Sequence, residues 1–109
     1  MEMPLTIVAR HLTLDGTVED HIRERAERLT HFHGRILGCR VRVEGPGPHH
    51  RHGPLKVAVE VEVPGPNIRV NRQSDADLHL AIREAFDAAD RRLEDSVRRR
   101  RGFVKAHGE

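Results

Sequence analysis

The sequence predicts an α+β fold in the order β-α-β-β-β-α, a four-stranded mixed sheet with two helices packed on one face. Two segments carry apolar residues at steps of three and four, and four segments alternate apolar and polar residues as strands do. The alternation predicts a sheet with one buried face, and the two amphipathic helices need an apolar surface to cover. A single layer of helices on one sheet face satisfies both requirements.

The first strand is expected over residues 5–12, followed by the first helix. Val8 interrupts the alternation of this strand, which allows it to be covered on both faces. Asp15 and Thr17 compete as the helix N-cap, because each offers a side-chain oxygen to free backbone amides. His33-Gly34 ends the helix. Its apolar stripe consists of Val18, Ile22, Ala26, Leu29 and Phe32.

Three further strands follow. Residues 36–44 form the second, with Cys39, Val41 and Val43 facing inward, and residues 45–54 read as a loop rich in Gly, Pro and His. Residues 55–63 alternate most clearly, and after a turn at 64–67 a short strand holds Ile68 and Val70. We expect the first two strands to be parallel neighbours through a right-handed crossover, and the later pairs to be antiparallel.

The second helix is predicted over residues 74–101. Ser74 or Asp75 would cap it, Asp77 would complete a capping box, and Gly102 would stop it. Its early part is acidic and its end is the run Arg98 to Arg101, an order that matches the helix dipole. The apolar stripe consists of Leu78, Ile82, Ala85, Phe86, Ala89, Leu93 and Val97.

Length and composition predict one domain over residues 1–102 and a frayed tail over 103–109. The single cysteine excludes an internal disulfide framework. The chain shows no secretory signal at its start and no apolar stretch long enough to span a bilayer. A cytoplasmic protein is therefore expected.

The sequence does not support an enzyme, because no phosphate loop and no hydrolase or metalloprotease motif is present. Cys39 has the inward parity of its strand, so it is interpreted as a buried structural thiol. Glu60 and Glu62 alternate beside arginines on an exposed strand face, which cross-strand charge pairing explains. His49, His50 and His52 lack the spacing of a defined metal site, so no metal and no cofactor is predicted.

The basic residues favour an anionic partner. Of the 19 basic residues, 17 are arginine. The formal net charge is only +2, so the informative feature is where the arginines cluster and not their total charge. Arginines on both helices would form a surface that follows phosphates without reading sequence. Only 3% of the residues are aromatic, which argues against a sheet that stacks bases. The alternative for Arg98–Arg101 is a solvated helix end matched to the dipole.

The sequence resembles the ribosome hibernation-promoting factor and ribosome-associated inhibitor A family (sigma-54 modulation proteins), in its short form. The resemblance covers residues 5–101 and rests on the order and spacing of several short motifs. The motifs are Val18-x-x-His21-Ile22-x-x-Arg25-x-x-Arg28-Leu29-x-x-Phe32, Val63-Pro64-Gly65, Asp77-Leu78-x-x-Ala81-Ile82-x-x-x-Phe86-Asp87 and Arg91-x-Leu93.

The resemblance implies a translation inhibitor that binds the small ribosomal subunit and its rRNA, in the channel of messenger and transfer RNA, under stress. By position, Arg25, Arg28 and Arg91 match basic contact residues of the family. Five further arginines are assigned to the contact surface on their charge alone: Arg92, Arg98, Arg99, Arg100 and Arg101. The chain departs from the family at Ala88, where relatives carry a basic residue, and at the acidic pair Glu94 and Asp95.

Two other classes of protein remain open at this point. A stand-alone binder of structured RNA would use the same arginines on a sheet with two helices on one face. A protein-interaction or metal-sensing module would instead use the loop His49-His50-Arg51-His52.

Overall fold

The computed structural model describes residues 3–47, 53–74 and 77–107, with side chains described as far as Arg99. The elements along the chain are β1 (Leu5–Arg10), α1 (Gly16–Phe32), β2 (Gly38–Glu44), β3 (Leu55–Glu62), β4 (Ile68–Ser74) and α2 (Leu78–His107). This is the predicted β-α-β-β-β-α order, and the α+β fold class is confirmed.

The four strands form one sheet in the order β1-β2-β3-β4. β1 pairs with β2 in parallel, and the β2–β3 and β3–β4 pairs are antiparallel, as predicted. Since α1 returns the chain between two parallel strands, it runs opposite to β1. β4 has the direction of β1, so α2, which follows β4, runs parallel to α1.

The core lies between the helices and one face of the sheet. The inward valines of β2 and β3 and Cys39 are buried as predicted, while Leu55 at the start of β3 is half-buried. Phe86 of α2 is 1% exposed and is the bulkiest fully buried side chain. The buried apolar set is Val18, Ile22, Ala26, Leu29, Cys39, Val41, Val43, Val57, Val59, Val61, Val63, Val70, Ala81, Ile82, Ala85, Phe86, Ala88, Ala89 and Leu93.

Three expectations about burial are wrong, and one of them is Val97, which continues the α2 stripe beyond Leu93 but is 38% exposed. Val8 is 39% exposed, because the outward face of the edge strand β1 carries no covering layer among the described residues. Phe32 is 68% exposed, although it continues the α1 stripe, because it is the last residue of the helix and lies past the packed turns. Helical spacing gives the direction of a side chain but not how far along the helix the covering surface extends.

β4 is longer than the predicted short strand. It pairs with β3 along a register that runs from Val61↔Ile68 to Leu55↔Ser74. Its second half, residues 71–74, is polar and so lacked an alternation signal. Backbone hydrogen bonds to β3 hold this half in place, and they require no apolar side chain.

The N-terminus of α2 is capped by Asp77 and not by Ser74. The amide of Leu80 donates to Asp77 Oδ1 at 3.1 Å, while Ser74 belongs to β4 and its Oγ accepts from the Asp77 amide at 3.2 Å. The predicted capping box is therefore wrong, and Asp75 lies outside the described residues. In α1, Asp15 is the cap, since its Oδ1 accepts from the Val18 amide at 2.9 Å.

Removal of the α2 cap should destabilise the fold measurably. Asp77→Ala is expected to lower the free energy of unfolding by about 1 kcal/mol, because the Leu80 amide loses its acceptor. Asp77→Asn, which keeps a side-chain oxygen, should retain most of the stability. Urea unfolding followed by circular dichroism measures both, and equal losses in the two variants would contradict the capping role.

The predicted end of α2 at Gly102 is wrong, because the helix continues to His107. One glycine inside a helix costs only about 1 kcal/mol relative to alanine, which neighbouring helix formers can offset. Leu93 is the last buried side chain of α2 among those described, so residues 94–107 extend beyond the core. We call residues 94–107 the α2 extension. Although α2 has 30 residues, no helix in the described ranges is apolar enough to cross a bilayer.

Candidate nucleic-acid interface

On the outer surface of the helix layer, three pairs of side chains connect α2 to α1 and to His33, the residue that follows α1. The Nδ1 atoms of His21 and His79 lie 2.8 Å apart and their rings stack, Arg25 forms an ion pair with Asp87, and His33 Nε2 lies 2.6 Å from Asp90 Oδ1. We call these six residues the interhelical seam. Residue numbers rise together on both helices, as parallel packing requires.

Within the seam, the ion pair with Asp87 limits the access of other anions to Arg25. Its side chain is only 15% exposed, and the Asp87 carboxylate that it contacts balances its charge. Arg25 therefore contributes to the packing of α1 against α2 in addition to its predicted place in the contact surface. An incoming phosphate would have to compete with Asp87 for the guanidinium.

His21 and His79 stack and share a hydrogen bond between their rings. Burial first, and then the neighbouring His79, lower the pKa of His21, which favours its uncharged form. One Nδ1 must donate and the other accept for the two rings to share a hydrogen bond. This contact therefore joins the two helices through a pair in which His21 favours its uncharged form.

Arg28, Arg91 and Arg92 reach the surface of the helix layer. All three are exposed, and Arg28 and Arg91 have no ion pair within the described part of the chain. Arg92 donates through Nη1 to the backbone oxygen of Arg69, which ties α2 to β4. Arg28 and Arg91 are therefore the free cations in this part of the predicted surface.

The arginine run lies on the α2 extension. Arg98 and Arg99 are exposed, and Arg98 has one weak i,i+4 contact with Glu94 at 3.9 Å between solvated side chains. Arg100 and Arg101 continue the helical backbone, and their side chains are outside the described part. Successive residues of a helix point about 100° apart, so Arg98 and Arg99 do not lie on one stripe of α2.

The structure shows where the two departures from the family pattern lie. Ala88 is 4% exposed and belongs to the core, so this position does not present a side chain to an RNA in this chain. Glu94 partly offsets Arg98, while Asp95 is exposed. Cationic charge on α2 is therefore concentrated in Arg91, Arg92 and the run that begins at Arg98.

The open face of the sheet, opposite the helices, is charged. Arg69 Nε donates to Glu60 Oε2 at 2.7 Å, and this hydrogen bond is the main cause that lowers the pKa of Glu60. Arg40 is opposite Glu60 in the β2–β3 register. The predicted cross-strand charge pairing is confirmed for Glu60. The sequence interpretation gave no binding role to the outward arginines of the strands.

Among the described residues, the structure shows neither an accessible thiol nor a metal centre. Cys39 is 4% exposed, and burial raises the pKa of its thiol to about 12, which confirms the structural interpretation. Within residues 3–47, 53–74 and 77–107, no group of three or more His, Cys, Asp or Glu side chains is arranged to hold a metal. The loop residues His49, His50, Arg51 and His52 are outside these ranges.

The fold and surface define a small α+β protein whose helix layer continues into an arginine-bearing extension. Two solved structures share this fold. The N-terminal domain of Protein Y from Thermus thermophilus superimposes with a TM-score of 0.70 at 22% identity, over 87% of this chain and 98% of that domain. A ribosomal subunit interface protein from Coxiella burnetii gives a TM-score of 0.74 at 13% identity, over 86% of this chain and 97% of that one. No curated protein sequence matches the chain.

Residues 5–101 match the family described as sigma 54 modulation protein / S30EA ribosomal protein. The chain belongs to this family, because the match covers most of its length. The predicted family relationship is thereby confirmed. The family is one of ribosome-associated modulation proteins.

Proposed function

We propose that this protein is a cytoplasmic, non-enzymatic factor that binds the small ribosomal subunit and holds off translation under stress. Its ligand is the rRNA lining the channel of messenger and transfer RNA. The observation that carries the proposal is the arginine run of the α2 extension, of which Arg98 and Arg99 are exposed, in a chain of the S30EA family. The Coxiella relative, named a ribosomal subunit interface protein, adds support.

The proposed contact surface consists of the arginines predicted from the sequence. Arg28 and Arg91 are exposed on adjacent helices, and Arg98 and Arg99 begin the run on the α2 extension. Guanidinium groups bind phosphate oxygens through paired donors, so this surface would hold rRNA by its backbone. Arg25 and Arg92 would help to set the surface through their contacts with Asp87 and β4.

The α2 extension suits a site enclosed by RNA. The described molecule is 59 Å long but only 26 Å and 19 Å across, and the extension accounts for much of this elongation. Fourteen helical residues span about 21 Å, and Arg98 and Arg99, which point about 100° apart, can meet phosphates on more than one side. An inhibitor that occupies a channel needs such contacts, whereas a protein lying on a flat RNA surface does not.

Sedimentation through a sucrose gradient tests the proposal. The full chain is mixed with purified ribosomes or separated subunits, at low and then at moderate salt. We expect it to migrate with the small subunit and with whole ribosomes, and to remain bound at moderate salt. Protein that stays at the top of the gradient, or that follows the large subunit alone, would overturn the proposal.

A stand-alone binder of structured RNA is the second candidate. It is favoured by the exposed guanidinium groups, which are suited to phosphates of any RNA helix. Competition distinguishes the two functions. If an RNA duplex of about 20 base pairs displaces the protein from small subunits at equal phosphate concentration, the second candidate is correct.

A further inference from the structure

The open face of the sheet contains a shallow concavity across β2, β3 and β4. In one row, Arg42 is opposite Ala58, and Ala58 is opposite Asn71; in the next row, Lys56 lies between Glu44 and Gln73. The short side chain of Ala58 leaves space between its longer neighbours. The lining residues are Arg42, Glu44, Lys56, Val57, Ala58, Asn71, Arg72 and Gln73.

The concavity is cationic, and two of its three cations are available, while Arg72 is half-buried and donates to the backbone oxygen of Asn71. Arg42 and Lys56 are exposed, and neither forms an ion pair within the described part of the chain. Glu44, the one carboxylate in the lining, is half-buried and opposite Lys56 in the register, yet no ion pair joins them. On the same face, by contrast, Arg69 is already held by Glu60.

The polar neighbours fit an oxyanion. Asn71 and Gln73 are exposed on β4 and each carries a carboxamide with two N–H donors. A guanidinium, an ammonium and two amides around a small floor provide converging donors for phosphate oxygens. None of the strands has an aromatic side chain, so the site is not suited to stacking a base.

We propose that this concavity binds two neighbouring backbone phosphates of RNA, one through Arg42 and one through Lys56, with Asn71 and Gln73 as further donors. The inference rests on the proposed ribosomal function and extends it. The concavity lies on the sheet face opposite the helices. The sheet and the helix layer therefore separate it from the outer helix surface, and one RNA segment cannot contact both. The protein would thus join two RNA segments, one on each face.

A double variant tests the sheet contact. Arg42→Gln with Lys56→Gln removes both free cations, while Arg69→Gln on the same face removes a cation that Glu60 already balances. Affinity for small subunits is measured over a series of salt concentrations. The double variant should lower the slope of log K against log salt by about two, one per lost phosphate contact, whereas Arg69→Gln should leave it nearly unchanged.

The change in affinity should be large at low salt. A slope near −0.9 per contact corresponds to about eightfold per contact between 0.1 M and 1 M salt, so the double variant should bind several tens of times more weakly at about 0.1 M. Far-UV circular dichroism of each variant establishes that it is folded. A folded double variant with the affinity and salt slope of the unmodified chain would overturn the sheet contact and leave the ribosomal function intact.

Two further measurements separate this inference from the proposed function. If the unmodified chain does not bind ribosomes, the same variants are compared on an RNA duplex of about 20 base pairs, where loss of affinity supports the phosphate site and unchanged affinity overturns it. In addition, Ala58→Cys places a thiol on the floor of the concavity, while Cys39 is buried and unreactive. Bound RNA should slow its reaction with maleimide at least severalfold, and equal rates would contradict the proposal.

Discussion

Replacement of Arg98 to Arg101 by alanine should weaken binding to the small ribosomal subunit about a thousandfold at about 0.1 M salt. Each lost phosphate contact removes close to one decade between 0.1 M and 1 M salt, and four contacts together remove more than three. The slope of log K against log salt should fall by three to four, roughly one per arginine. Sedimentation or filter binding over a salt series measures both quantities.

The alanine variant is expected to fold as the unmodified chain does. Alanine is the best helix former, and residues 98–101 lie beyond Leu93, the last buried side chain of α2 among those described. Replacement of the same four arginines by lysine is the matched control, since it keeps the charge and should keep most of the salt slope. Affinity of the alanine variant within threefold of the unmodified chain would remove the run from the interface.

Phe86→Ala should destabilise the protein by about 4 kcal/mol, a large part of the total stability of a domain of this size. Phe86 is 1% exposed in the layer between the helices and the sheet, so its removal loses apolar burial and leaves a cavity. The free energy of unfolding, measured by urea denaturation, reports the loss. Partial unfolding at 37 °C is the expected consequence.

Phe32→Ala provides the matched control for this prediction. The two phenylalanines are on the stripes of the two helices, but Phe32 is 68% exposed at the end of α1. Its replacement should change the free energy of unfolding by no more than about 0.5 kcal/mol. If both variants lost similar stability, the distinction between core and helix end described above would be wrong.

The sequence predicts the fold well because its apolar pattern is strong. The inward valines of β2 and β3 and the stripes on both helices require one buried sheet face, and this determines the order of layers. Element ends were predicted less well. Asp77 caps α2 although Ser74 also offered an oxygen, and the helix passes Gly102. Ends depend on differences of about 1 kcal/mol between competing local hydrogen bonds, which periodicity does not reveal.

The candidate site was only partly accessible from the sequence. A run such as Arg98–Arg101 can be recognised in the sequence, because its four charged residues are consecutive. The Arg25–Asp87 pair joins residues 62 positions apart, so only the packing of α1 on α2 shows that this cation is balanced. Arg42 and Lys56 are likewise brought together by strand register, and nothing in their separate strands marks them as neighbours.

Substitutions in the α2 extension should change the affinity for RNA without changing the stability of the fold. No side chain described between Glu94 and Arg99 is buried, so substitutions there should barely change the free energy of unfolding. Effects at Arg98 or Arg99 and at core positions such as Phe86 should add independently, because twelve helical residues, about 18 Å, separate Phe86 from Arg98. Related chains could therefore adjust the strength and salt dependence of binding by exchanging charges in these last helical turns, without any compensating change in the fold.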